Sequence, residues 1–192
     1  RGGGKLMPLV FEILLKYYNQ GPKMNLPDKD YFAQYDIKVK DGFALFWGSP
    51  FSNWHKVPFI DQDNDIPLRF TSTEQYMMYY KAKLFHDDYT ANLILKTSDP
   101  KKQKSLGRSI KNYDDLKWSS VRYDVVKLGN YLKFAQNPSI AQILLKTEDM
   151  IICEASPYDT IWGIGLAMSD PKALDKTQWR GKNLLGKVLM EV

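Results

Sequence analysis

The sequence has very few of the residues that bind metals or form cross-links. It holds one cysteine, Cys153, and two histidines, His55 and His86, among 192 residues. A single cysteine excludes an internal disulfide, and these three side chains do not supply the usual Cys/His ligand set of a zinc site. We therefore expect neither a disulfide nor a bound metal in this protein.

Long hydrophobic runs are lacking as well. The longest, residues 6–15, is interrupted by Pro8 and Glu12 and is far shorter than the roughly 20 apolar residues that cross a bilayer. No secretory leader with an apolar stretch and a cleavage site opens the sequence,. We therefore expect no membrane contact and an intracellular, cytoplasmic location, or a nuclear one in a eukaryotic cell.

The composition is that of a folded globular protein. Hydrophobic residues make up 44% of the sequence and charged residues 26%, which is enough apolar material for the core of one domain and excludes disorder of the bulk of the chain. Aromatic residues are frequent, at 14%. Aromatic faces can hold flat heterocycles, although packing accounts for most aromatic residues in any protein.

Periodicity and turn signals predict an α+β fold, a single compact and mainly helical domain with a few short strands. Short apolar runs predict strands at residues 42–47, 57–60, 66–70 and 150–155,. Helical spacing and capping residues predict helices over residues 6–18, 71–85, 113–135, 139–146 and 182–190, with a shorter one that starts at Asp99-Pro100,.

The helix over residues 71–85 starts with a predicted capping box. Thr71 is expected to accept a hydrogen bond from an amide of the first turn, while Glu74 reaches back to the cap,. The rest of this helix is apolar nearly all round, which predicts burial. A carboxylate at a helix N-terminus is favoured in its charged form, so we expect Glu74 to act as a base or to stabilise a cation.

The positive charge is concentrated in one segment. The net charge is +5, and residues 96–111 hold six basic residues against the single acid Asp99. Such a patch suits a phosphate-bearing ligand or a nucleic acid, or it is a solvated helix face. Lys104, Arg108 and Lys111 recur at about one-turn steps, so these three side chains are candidates for phosphate contacts.

Two polar residues on the buried helix are candidates for chemistry. Glu74 and Lys81 lie seven residues apart, which places them on one helix face about two turns apart. The capping box by itself explains a glutamate at this position, and a lysine that extends to solvent explains Lys81. In a polar pocket, Lys81 is either an uncharged amine nucleophile or a cation that holds a phosphate.

A turn-rich loop after the last predicted strand holds two further candidates. Asp159 and Trp162 lie there, next to glycines at positions 163 and 165, and loops held by rigid elements often carry sites. The aspartate is either a ligand of a ribose or base or an Asx-turn residue, and the indole either stacks on a ligand or packs. Trp118 belongs to an apolar stripe with Val121, Val125, Leu128 and Leu132, which by default is core.

Several motifs in order resemble one known family. They are FWGSPFSNW (46–54), FTSTEQYMMYYKAKLF (70–85), LGRSIK (106–111), WSSVRYDVV through KFAQNP (118–138), EASPYDTIWGIGL (154–166) and WRGKNLLGKVLMEV (179–192). Together they resemble the NADAR/YbiA-like N-glycosidase domain, over about residues 43–192. We therefore predict an N-terminal extension at residues 1–40 and this domain at residues 41–192.

The resemblance implies an enzyme that hydrolyses the bond between ribose C1 and a nitrogen, without a metal or another cofactor. Members act on phosphoribosylamino-pyrimidine intermediates of riboflavin biosynthesis, or they remove ADP-ribose from guanine in nucleic acid. The second substrate is the leading expectation, and the partner is then ADP-ribosylated nucleic acid rather than a phosphoribosyl small molecule. A non-catalytic module that binds ADP-ribose or NAD is the alternative outside enzymes.

The resemblance also implies which residues form the site. The positions that match catalytic or pocket residues are Glu74, Trp118, Asp159 and Trp162, and those that match other polar motif residues are Asn53, Lys81, Arg108 and Asn183. Cleavage of the C1–N bond develops oxocarbenium character at C1, so Glu74 is expected to stabilise that positive charge and to orient water. Asp159 is expected to orient the sugar or to assist departure of the base. Alternatively, Lys81 attacks C1 and forms a Schiff base.

Overall fold

A computed structural model describes residues 29–62 and 66–192. The predicted helix over residues 6–18 and most of the predicted N-terminal extension lie outside the described residues. The predicted α+β class is confirmed by seven helices and five short strands in the described part of the chain.

The central sheet brings together three strands that are far apart in sequence. Helix α1 (Lys29–Ala33) precedes strand β1 (Ile37–Lys40), which pairs antiparallel with β2 (Phe43–Phe46). Asp41 and Gly42 join these two strands in the left-handed conformation that a tight two-residue hairpin requires,. Strand β1 falls within the predicted extension, so the predicted boundary after residue 40 separates two paired strands.

Strand β5 (Ile151–Glu154) completes this sheet by pairing parallel to β2, with Phe46 opposite Glu154. Ala44 and Phe46 pack into the main core while Leu45 joins a second apolar cluster with Cys153. Since both faces of β2 are covered, its sequence is a continuous apolar run rather than an alternating one. The carboxyl ends of β2 and β5 lie side by side, at the place where an open sheet leaves a crevice for ligands.

Two further strands form a small antiparallel ribbon. They are β3 (Phe59–Asp61) and β4 (Leu68–Phe70), close to the predicted positions. The rings of Phe59 and Phe70 stack with centroids 5.8 Å apart, and Tyr76 of the next helix packs edge-on against Phe70 at 5.0 Å. This aromatic cluster fixes the ribbon against the helix that follows it.

The remaining helices match the predicted ones within a few residues, apart from α3, which was not predicted. They are α2 (Thr73–Leu84), α3 (Asp88–Leu95), α4 (Pro100–Arg108), α5 (Asp115–Ala135), α6 (Pro138–Leu145) and α7 (Leu184–Glu191), with 3-10 turns at Pro171–Leu174 and Lys176–Gln178. Helix α2 packs against α3, α4 and α5, so it lies at the centre of the helical layer, as its apolar sequence predicts. No helix among the described residues has the length and hydropathy of a membrane span.

The predicted capping box of α2 is wrong by one residue. Ser72 is the N-cap, and its hydroxyl accepts from the Gln75 amide at 3.1 Å. The Gln75 side chain reaches back and accepts from the Thr71 amide at 2.7 Å. The box therefore uses Ser72 and Gln75, because three consecutive residues here have hydroxyl groups that suit a cap. Glu74 has no role in it.

The predicted apolar stripe of α5 is wrong in part. Trp118 is buried, but Leu128 is 41% exposed, and the helix instead buries Val126, Gly129 and Lys133. A Cβ at position 129 would lie 2.6 Å from the Tyr76 ring, so glycine permits the close approach of α5 to α2,. The buried face of α5 includes a glycine and polar residues, and apolar periodicity does not detect such a face.

Candidate active site

A cavity of about 1000 Å³ lies at the carboxyl ends of β2 and β5. Four parts of the chain line this cavity. Two are loop segments, at residues 47–48 and 52–56 after β2 and within residues 154–162 at and after the end of β5, and two are helical, one face of α2 and the last turns of α4. The α2 face consists of Glu74, Met77, Met78 and Lys81. The structure therefore brings Glu74 and Lys81 to one face, as their spacing predicts.

Glu74 lies in the cavity wall and is only 3% exposed. Its backbone amide donates to the carbonyl oxygen of Asn53 at 2.9 Å, which joins α2 to the loop after β2. Burial raises the pKa of the Glu74 carboxyl to about 7. The Lys104 ammonium is the main group that opposes this rise. Desolvation thus opposes the effect expected of the helix N-terminus, which favours the charged carboxyl,.

Lys81 extends along the cavity wall rather than into bulk solvent. Its Nζ donates to the carbonyl oxygen of Gly107 at 3.0 Å and lies 4.4 Å from the centre of the Tyr113 ring. Burial lowers the pKa of Lys81, and the nearby Glu74 carboxyl opposes this shift. The side chain is thus a partly desolvated amine beside a carboxyl group.

Asp159 lies in the same cavity and also forms an Asx-turn. Its Oδ1 accepts from the backbone amides of Ile161 and Trp162, each at 2.8 Å. The Asx-turn predicted from the sequence is therefore present, and the residue still faces the space where a ligand would lie. A Cβ at Gly163 would lie 2.9 Å from the carbonyl oxygens of Asp159 and Glu154, so glycine allows the loop to fold tightly there,.

Buried polar groups of α5 hold the loop after β2 in place. Lys133 is fully buried, and its Nζ donates to the Ser52 carbonyl oxygen at 2.9 Å. Burial lowers the pKa of Lys133 to about 7. Asn130 donates to the Asn53 side chain at 3.2 Å. Asn53, 5% exposed, lines the cavity from this loop, so α5 fixes a wall of the site from behind.

Two of the three predicted phosphate contacts lie at the cavity. Lys104 and Arg108 line it from α4, and the Lys104 Nζ lies 5.8 Å from the centre of the Trp54 ring. Lys111 does not line the cavity, because α4 ends at Arg108 and the chain turns away. The Lys111 amide instead donates to Asp87 at 3.0 Å.

The structure separates two other predicted residues from the cavity lining. Trp118 is 6% exposed and packs in the core, with the Lys81 Nζ 5.9 Å from its ring centre. Asn183 is 1% exposed, with its Oδ1 accepting from the Glu154 amide at 3.1 Å and its Nδ2 donating to the Ile152 carbonyl at 2.9 Å. It supports β5 from behind. Trp162 does line the cavity.

Three aromatic residues and one acid stand out among the lining residues that were not expected from the sequence. Trp47, Trp54 and Tyr158 are 53%, 44% and 85% exposed, and the rings of Trp47 and Tyr158 lie 6.3 Å apart. Glu154, at the end of β5, is the fourth. The sequence does not single these residues out. Each lies at the end of a short apolar strand or in a turn, where packing alone accounts for such a residue.

The cavity combines acids, bases and rings without a metal cluster. Within residues 29–62 and 66–192, no group of three or more His, Cys, Asp or Glu side chains is arranged to hold a metal ion. Carboxyl groups of Glu74, Glu154 and Asp159 lie near the cations of Lys81 and Lys104. Such a set can transfer protons and stabilise positive charge on a sugar, as carboxyl pairs do in glycosidases.

Comparisons with known proteins match the sequence to one family. The NADAR domain model matches residues 45–192. An N-glycosidase of Acanthamoeba polyphaga mimivirus is 43% identical over 143 residues, which cover 74% of this chain and 84% of that protein. A riboflavin biosynthesis protein of Vibrio vulnificus is 30% identical over 59% of this chain and 28% of its own length.

A solved structure shares the fold. The NMR structure of the Escherichia coli protein YbiA aligns with a TM-score of 0.62, covering 88% of this chain and 90% of that one at 23% sequence identity. This likeness shows the fold, and the longer sequence matches show the family. The chain belongs to the NADAR domain family and is a hydrolase that acts on N-glycosyl bonds.

Proposed function

We propose that this enzyme removes ADP-ribose from guanine bases of nucleic acid by hydrolysing the bond between ribose C1 and the base. The observation that carries the proposal is the make-up of the cavity, where carboxyl groups, cations and exposed aromatic rings meet in about 1000 Å³. This volume lies at the upper end of the range of about 300–1,000 Å³ for small-molecule sites. It suits a dinucleotide-sized adduct better than a small phosphoribosyl metabolite.

Glu74 stabilises the positive charge that develops at C1 when the C1–N bond breaks. Its pKa of about 7 means that both its charged and its protonated forms are populated at neutral pH, so it also accepts a proton from the attacking group. Asp159, whose Oδ1 is held by two backbone amides, orients the ribose hydroxyls with its remaining oxygen.

Either of two nucleophiles can attack C1: a water molecule activated by Glu74, or the amine of Lys81. The lowered pKa of Lys81 enlarges the uncharged fraction of the amine, and only an uncharged amine attacks carbon. This favours the route through Lys81, in which a Schiff base forms after the ribose ring opens and water then releases ADP-ribose.

The rest of the cavity suits the remainder of the substrate. Lys104 and Arg108 on α4 supply cations for the pyrophosphate or the nucleic-acid backbone,. Trp54 and Trp47 offer exposed ring faces at the cavity for stacking of bases,. We infer that an enzyme with such a substrate acts in the cytoplasm, or in the nucleus of a eukaryotic cell.

The experiment is release of ADP-ribose, measured by mass spectrometry, from an oligonucleotide that carries ADP-ribose on guanine. We expect the wild-type protein to release it and Glu74→Gln to lose about 10²–10⁴-fold in kcat. Asp124→Asn, which changes an exposed carboxyl on α5, is the matched control and retains the wild-type rate.

Other outcomes of this experiment identify the other candidate functions. Turnover of a phosphoribosylamino-pyrimidine without turnover of the oligonucleotide favours the riboflavin pathway, to which the Vibrio vulnificus relative is assigned by its name. Tight binding of ADP-ribose that is unchanged in Glu74→Gln, without turnover of either substrate, favours a binding module.

A further inference from the structure

Glu154 is an acidic residue in the cavity wall that the proposed function has not yet used. Its backbone is fixed on both sides, since the amide donates to Asn183 Oδ1 at 3.1 Å and the carbonyl oxygen accepts from the Ile164 amide at 2.9 Å. The residue ends β5, and its side chain lines the cavity. A rigid element therefore presents this carboxyl group to the site.

One oxygen of this carboxyl group is buried without a partner. Among residues 29–62 and 66–192, no atom forms a hydrogen bond with Glu154 Oε2, which is sealed from solvent. A buried carboxylate oxygen without a donor is costly, whereas a protonated carboxyl group has a hydrogen to donate. A proton on Glu154 removes the charge that burial of Oε2 disfavours. The other oxygen, Oε1, is then the one that donates a hydrogen bond to a ligand in the cavity.

The charged neighbours separate Glu154 from Glu74. Three cations, Lys104, Lys81 and Arg108, act on Glu74, whereas of these only Lys104 acts on Glu154. Burial raises the pKa of Glu154 to about 8, and the acids Asp159 and Glu74 add to this rise. When the two glutamates share one negative charge, the charge therefore resides on Glu74 and the proton on Glu154.

We propose that Glu154 is the general acid of the site and donates the proton that the departing base requires. In this step the C1–N bond breaks, its electron pair goes to the base, and the proton of the Glu154 carboxyl group moves to the base. The nucleophile, water or the Lys81 amine, forms its bond to C1 and passes a proton to the Glu74 carboxylate. Proton exchange with solvent then restores protonated Glu154 and charged Glu74.

The proposal rests on the proposed function in that the departing base is guanine, so its test varies the base. Two oligonucleotides carry ADP-ribose on guanine or on N7-methylguanine. The methylated base is cationic and departs without receiving a proton. We expect Glu154→Gln to lose about 100-fold or more in kcat on guanine and less than about 10-fold on N7-methylguanine. Glu74→Gln, which lacks the base rather than the acid, is slowed on both.

Equal slowing of Glu154→Gln on the two substrates overturns the proposal, because a merely structural role affects both alike. Retained wild-type activity of Glu154→Gln on guanine overturns it as well. Thermal unfolding of each variant is measured alongside, so that a failure of Glu154→Gln to fold is recognised as such.

A second measurement does not depend on the substrate. Carbon-13 NMR of the wild-type protein, labelled at the glutamate carboxyl carbons, gives a resonance that is absent from the spectrum of Glu154→Gln. We expect this resonance to be that of a protonated carboxyl group at pH 7, whereas titration near the ordinary value of 4.5 overturns the proposal. If the wild-type protein releases no ADP-ribose from either oligonucleotide, the proposed substrate is wrong, and the NMR result alone decides the state of Glu154.

Discussion

Lys81 of α2 donates a hydrogen bond from Nζ to the carbonyl oxygen of Gly107 in α4, at 3.0 Å. The bond joins the helix that carries Glu74 to the helix that carries Lys104 and Arg108. It holds the amine near the Glu74 carboxyl group, so the contact between these two helices positions the two groups that we propose act together.

Gly107→Ala disturbs this contact. A Cβ at position 107 would overlap the side chain of Met78, which also lines the cavity. We expect kcat/KM to fall about 10-fold, since displaced catalytic groups reduce the rate. The free energy of unfolding changes by less than about 1 kcal/mol, because the flexible methionine moves and alanine favours the helix.

The matched control for Gly107→Ala is Ser105→Ala, an exposed position on the same helix. Steady-state kinetics and urea unfolding of both variants provide the comparison. Wild-type kinetics in Gly107→Ala would show that the position of Met78 and Lys81 has no influence on the rate.

Borohydride is expected to trap a covalent adduct on Lys81 during turnover. The lowered pKa of this lysine makes its amine available, and borohydride reduces a Schiff base to a stable amine. Mass spectrometry of the digested protein locates the adduct, which is absent in Lys81→Met. If no adduct forms and Lys81→Met turns over at the wild-type rate, water is the nucleophile.

Removal of the cations on α4 is expected to weaken binding of nucleic acid in a salt-dependent way. For Lys104→Ala/Arg108→Ala we expect a higher KM for the oligonucleotide and a salt slope reduced by about one for each phosphate that is no longer bound. Lys172→Ala/Lys187→Ala, which removes two exposed lysines outside the cavity, is the control. An unchanged salt slope in the first variant would argue against contacts with phosphates.

The buried carboxyl groups are expected to reduce stability as the pH rises from 5 to 7. The folded-state pKa values of Glu74 and Glu154, about 7 and 8, exceed the ordinary value of 4.5. The folded state then binds more protons than the unfolded state in this range, so its stability falls with rising pH. Glu154→Gln removes one such group and makes the decline smaller by about 1–3 kcal/mol.

Urea unfolding at pH 5 and pH 7 measures this difference between Glu154→Gln and the wild-type protein. The window avoids most of the effect of Lys133, whose lowered pKa of about 7 makes stability rise with pH between about 7 and its ordinary value of 10.5,. An identical decline in both proteins would mean that Glu154 titrates normally in the folded state.

Local patterns in the sequence were sufficient for most helices and strands. Asp99-Pro100 begins α4 as predicted, and the apolar run at residues 42–47 contains β2. The capping register of α2 was missed because residues 71–73 all have hydroxyl groups, and only the packed structure selects Ser72. The buried face of α5 was missed in part because it contains Lys133, and a lysine in a sequence normally indicates an exposed position. In the fold this lysine is fully buried and donates to the Ser52 carbonyl oxygen.

The sequence alone determined that Glu74 and Lys81 share one face of a helix, because the helical repeat is a local property of a few turns. The tertiary structure decided that Glu154 joins them and that Asn183 and Lys111 do not. The parallel pairing of β2 with β5 places Glu154 beside Phe46, and no local pattern specifies a contact between such distant residues. Burial likewise raised the pKa values of Glu74 and Glu154, since desolvation depends on the whole fold around them,.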